Sequence, residues 1–140
     1  MNYSDFTKCL RAGAIAFALS ALATMAAPPP AAAQSGSLQG TWSGGGKIVF
    51  PSGESERARC RATFRAVSGR SFTMSAVCAT ASTRVQQNAE ITRIAPNRYR
   101  GEFFNQEFGI SGSARITLVG QSLRASLVGG GGSAEFTLSR

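Results

Sequence analysis

Around Gly69 the sequence mirrors itself. Taking Ser68-Gly69-Arg70 as a tight loop between two extended runs places residues equidistant from Gly69 opposite each other. Cys60 then meets Cys78, Ala62 meets Ala76, Phe64 meets Met74 and Ala66 meets Phe72. Side chains on a strand alternate with period two, so all eight share one face. The cysteines lie at a spacing a disulfide can bridge when the pair is a non-hydrogen-bonded one. The opposite face of the first run carries Arg57, Arg59, Arg61 and Arg65. A chain built around this hairpin is committed to an antiparallel sheet with one apolar face and one strongly basic face.

Residues 1–33 read as a secretory signal peptide. Lys8 and Arg11 precede an apolar run from Ala12 to Ala26, which gives way to Pro28-Pro29-Pro30 and alanines. That run is shorter than the roughly 20 residues a membrane helix needs, and nothing later approaches that length. Cys9 lies before the apolar run, where it cannot take up a lipid at the cleavage point and leaves with the leader. The expected product is soluble, periplasmic or secreted, with no membrane span. In that oxidising setting the two remaining cysteines allow one intramolecular pairing, Cys60–Cys78.

Residues 34–38 are expected to form a short polar tail and 39–140 one β-domain. The first strand contains Gly40-Thr41-Trp42 and then Gly44-Gly45-Gly46, which marks either one bulged strand or two short ones. It ends at Pro51-Ser52-Gly53. The hairpin follows, with strands near 54–66 and 71–79. A fourth strand, 84–95, alternates poorly through Gln86-Gln87-Asn88. After the turn signal Pro96-Asn97, Tyr99, Gly101 and Phe103 alternate against Arg100, Glu102 and Phe104. A sixth strand places Ile110, Gly112, Ala114, Ile116 and Leu118 inward. Two more place Leu123, Ala125 and Leu127, then Ala134, Phe136 and Leu138, on the same side. No segment after the leader has helical periodicity.

Eight short strands joined by hairpin turns predict an all-β fold, a sandwich or an eight-stranded antiparallel up-and-down β-barrel with one cross-strand disulfide. Closure is preferred because it leaves no exposed edge in so small a chain. The inward residues carry no charge, so the interior is expected to be a filled core.

Composition narrows the chemistry. The chain has no histidine, and its only aspartate, Asp5, lies in the leader. Imidazole-based catalysis and histidine-rich zinc sites are therefore excluded, and no enzyme, metal or cofactor is expected. Six glutamates remain, scattered over turns and outward positions. The formal charge is +8, and removing Lys8, Arg11 and Asp5 leaves about +7, carried almost wholly by arginine. The row Arg57, Arg59, Arg61 and Arg65 presents cations about 6.5–7 Å apart, a surface suited to phosphate, sulfate or carboxylate. An anionic component of the cell envelope, or a protein, is the expected partner. Nucleic acid is not, because the aromatic side chains that stack bases point to the other face.

Gly40-Thr41-Trp42 resembles the Gly-x-Trp opening of calycin-type barrels, the avidin and lipocalin families. That resemblance implies that Trp42 closes one barrel end beneath a basic residue near the last strand, a role Arg140 is placed to fill. Ligand-binding avidins line their pocket with several tryptophans and polar groups, whereas this chain has one tryptophan and an apolar interior, so a small-molecule ligand is not expected. With its leader, tail, Gly-x-Trp, disulfide and Leu138-Ser139-Arg140 ending, the chain also resembles small periplasmic inhibitors of bacterial metalloproteases. There the N-terminal tail enters the protease cleft, which implies an inhibitory role for residues 34–38. The first expectation is a non-enzymatic exported interaction module. The inhibitor is second and the ligand-binding calycin third.

Overall fold

The computed structural model describes Ala27 and residues 36–140, so the leader apart from Ala27, together with Gln34 and Ser35, lies outside the described residues. The fold belongs to the compact unit Ala33–Arg140. Eight strands run in order: β1 (Gly40–Val49), β2 (Ser55–Ala66), β3 (Ser71–Ala79), β4 (Arg84–Ala95), β5 (Arg98–Asn105), β6 (Ile110–Val119), β7 (Ser122–Gly129) and β8 (Gly132–Ser139). Each pairs antiparallel with the next, and β1 pairs with β8 to close an up-and-down barrel. Among the described residues no helix is long and apolar enough to cross a membrane.

The central hairpin has the expected register, with Cys60 opposite Cys78, Ala62 opposite Ala76, Phe64 opposite Met74 and Ala66 opposite Phe72. The Val67 amide donates to the Ser71 carbonyl at 2.9 Å, and the Ser71 amide donates to Ser68 Oγ at 3.2 Å. These bonds close the loop over 68–70. Cys60 and Cys78 are joined as a disulfide. At the β7–β8 hairpin Gly130 and Gly131 both take positive φ, 60° and 80°, as a two-residue type I′ turn requires.

The triple glycine is one continuous strand. Gly44 and Gly46 face inward opposite Leu138 and Phe136 on β8. A Cβ at Gly46 would fall on the Glu135 carbonyl and the Phe136 ring, so the missing side chain is what lets the closing strands meet and the ring lie across the seam. Gly112 does the same for Phe103.

Leu38, Trp42, Phe64, Ile91, Tyr99 and Leu123 are the largest fully buried side chains. Phe72 meets Tyr99 edge-on, with ring centroids 5.6 Å apart.

The interior is not free of charge or polarity, which corrects the sequence reading. Arg93 stands opposite Tyr99 and on its face, near the end of β4, where the ladder shifts register. Its Nη2 donates to Tyr99 Oη at 3.2 Å, and its guanidinium carbon lies 5.4 Å from the ring centroid. Asn105 is also inward and only 4% exposed. Poor alternation in β4 has the same origin, because Gln87 occupies an inward position.

The disulfide crosses neighbouring strands, so its main effect is on the unfolded chain. Replacing both cysteines by alanine should cost about 2–4 kcal/mol in a denaturant titration. Peptide mapping of the unreduced protein should recover Cys60 and Cys78 in one linked species.

Candidate functional site

One end of the barrel is closed by Trp42. Its indole N–H, buried among apolar side chains, needs an acceptor and donates to the Leu38 carbonyl at 2.9 Å. Gly40, with φ of 122°, turns the chain so that residues 36–39 fold back beneath the ring. Arg140 covers the same indole, its guanidinium carbon 4.2 Å from the ring centroid, while its Nη2 donates to the Ser37 carbonyl. Arg140 and the segment before β1 thus both pack against the Trp42 indole at this end of the barrel.

This geometry corrects the tail reading. Leu38 has 0% exposure and belongs to the core. The stretch assigned to a protease cleft thus ends in a residue the barrel buries, so removing residues 34–38 would take a core side chain with it.

The opposite end is built differently. Ile48, Val85, Phe103, Leu127 and Ala134 face inward but are only partly buried. Between them lie two side-chain amides. Asn105 Nδ2 donates to the Gln86 carbonyl at 3.0 Å and to Gln87 Oε1 at 3.2 Å. Its Oδ1 accepts the Phe108 amide at 3.0 Å, holding the β5–β6 loop against the rim. On the inward register of β2, Glu56 ties the β3–β4 loop to the same rim, accepting from Ser82 Oγ at 2.9 Å and the Ser82 amide at 3.3 Å. Hydrogen bonds from the Thr80 and Ser82 hydroxyls hold its carboxyl below the ordinary carboxylate range.

All four arginines of the row are exposed on β2, but barrel closure divides them. Across the outer face Arg59 is level with Gly45 on β1, then Thr137 on β8, then Arg124 on β7. One rung away, Arg57 faces Lys47, followed by Glu135, Ser126 and Arg115. These rungs form a trough of about 2020 Å³ with seven cationic side chains and one carboxylate, Glu135, in its lining. Arg65 is not part of it. Arg65 lines a second hollow shared with Glu90, Glu102 and Glu107. Sequence reasoning missed Lys47, Arg84, Arg115 and Arg124; for the last two, only the closure between β1 and β8 brings β7 and its neighbour β6 round to the side of the barrel that carries β2.

No family model and no curated protein matches the chain. Among solved structures, it is similar to the redesigned β-barrel mFAP1 bound to DFHBI, with a TM-score of 0.63 and 15% identity over 74% of this chain and 94% of that one. A second redesigned barrel, mFAP0, also bound to DFHBI, gives a TM-score of 0.61 at 15% identity over 74% of this chain and 98% of that one. A de novo designed fluorescence-activating β-barrel gives 0.57 at 14% identity over 73% of this chain and 92% of that one. At these identities the likeness is one of fold. It corrects the expectation against a small-molecule ligand: barrels of this architecture hold DFHBI, and here the interior is not uniformly closed.

Two outcomes follow. Leu38→Ala should cost about 2–5 kcal/mol, the range for emptying a buried leucine site, measured by chemical denaturation. The lowered pKa of Glu56 means its contribution is fully present above the unfolded-state value of about 4.3 and is lost as pH falls through the folded value. Amide exchange in the 80–83 loop should therefore accelerate in acid, and Glu56→Gln should abolish that pH dependence.

Proposed function

We propose that the chain is an exported, non-enzymatic barrel that holds a small, mainly apolar molecule at its open end. The observation that carries this reading is the asymmetry of burial. The Trp42 end is plugged by fully buried side chains, whereas partly exposed apolar side chains surround Gln87 and Asn105 at the other end. Concave apolar sites with a few placed polar groups are what small-molecule binding requires. Asn105 is committed to Gln86, Gln87 and the Phe108 amide, so of the two amides only the partly exposed Gln87 is left to meet a hydrogen-bonding atom of the ligand. DFHBI binding by mFAP1 and mFAP0 supports the reading by analogy of fold. Export rests on the sequence of residues 1–33.

A second reading concerns the outside of the barrel, where the exposed arginines favour an interaction module for an anionic partner. The basic trough supports it, since the closure of the barrel sums charge from strands far apart in sequence.

A neutral probe separates the two. N-phenyl-1-naphthylamine should bind saturably, one per chain, with a rise in fluorescence. Ala134→Leu, which fills the open end, should weaken binding about tenfold while the melting temperature stays near that of the parent. Non-saturable binding, or equal binding by this variant, sinks the proposal.

A further inference from the structure

We infer that the basic trough takes a linear acidic polysaccharide laid along β1 and β8, between the arginines of β2 on one side and those of β7 and β6 on the other; this rests on the reading of the outer face as an anion-binding surface. Arg59 and Arg124 stand on one rung with Gly45 and Thr137 between them. Three strand spacings separate them by about 14 Å. Gly45 has no side chain, so the floor is low where the walls are high. Ser43, Ser126 and Thr137 add hydroxyls along the same floor. Guanidinium walls recognise carboxylate or sulfate, and a hydroxyl floor recognises sugar hydroxyls.

Length favours a chain over a single ion. Arg57, Arg59 and Arg61 repeat at about 6.5–7 Å along β2, so an occupant with anions at intervals satisfies more of them than one phosphate can. The competing polyanions fit less well. Single-stranded nucleic acid calls for aromatic platforms, and the one aromatic residue in the lining, Phe136, is buried on the inward face. A membrane surface calls for protruding apolar groups. The exposed large hydrophobics Val67, Ile94, Phe104, Phe108, Val119 and Val128 all lie outside the trough lining. Glu135 sits opposite Lys47, which leaves the arginine walls to the ligand.

The test titrates the mature chain with a heparin octasaccharide, an alginate oligomer, phosphatidylcholine vesicles containing about one quarter phosphatidylglycerol, and a short oligothymidylate. Expected are salt-sensitive binding of one or both glycans in preference to vesicles and oligothymidylate, and about tenfold weaker glycan binding by Arg59→Gln/Arg124→Gln. Heparin against alginate distinguishes sulfate from carboxylate as the recognised group. Arg65→Gln/Arg98→Gln removes the same charge outside the trough and should leave binding nearly unchanged. Equal losses in the two double variants overturn the inference, since net charge alone then explains binding. Tighter binding of vesicles or oligothymidylate overturns the polysaccharide but keeps the anion-binding reading. No binding to any of the four overturns both. Melting temperatures of both variants should match the parent, as none of the four arginines faces the core.

Discussion

The pairing of β1 with β8 is the constraint from which the rest of the molecule follows. Without it the sheet would have two exposed edges, and its apolar face would lie open. The seam depends on Gly44 and Gly46, because any side chain there would strike the β8 backbone, and at Gly46 also the Phe136 ring. Absence of side chains on one strand is thus matched to a large aromatic on the next. The same seam determines the outer surface, setting β7 two strands away from β1 and so turning a row of arginines on β2 into one wall of a trough.

Much of this was legible in the residues. The mirror about Gly69 contained the hairpin, its register and its cross-link, because strand alternation and loop length leave one solution. Turn residues marked every reversal. Closure also followed, since short sequential hairpins leave little else for two edges to do. What escaped was what depends on curvature and on ends. Arg93, Gln87 and Asn105 sit at inward positions of a strand pattern, yet alternation cannot tell the middle of a barrel from the turns near its ends, where a polar group finds a hydroxyl, an amide or a loop backbone to bond. Leu38 looked like the end of a polar tail because one leucine has no period. Its burial is decided by an indole N–H that must find an acceptor.

The two ends of the barrel embody different solutions to the same problem. At one, an aromatic ring, a back-folded segment and a guanidinium together exclude solvent. At the other, amides and a carboxylate are spent on holding loops in place, and the apolar residues between them stay half-covered. The glutamate at that rim and the arginines outside show why a net charge says little about sites. Seven cations line one side of the wall, while Glu90 and Glu102 face each other on another.

Arg140 reaches Ser37 across the closed end, so positions far apart in sequence are within one side chain of each other. The backbone is therefore almost a ring. A short linker could join these positions, with new termini opened at Gly130-Gly131 on the far rim, where the turn contributes no side chain to the core. In such a circular permutant β8 and β1 would become consecutive hairpin strands, and the seam would be formed by a local contact instead of the most distant one in the chain. The most distant contact would move to β7 and β8, whose hairpin the permutation opens, so the glycine seam would no longer be the last to close.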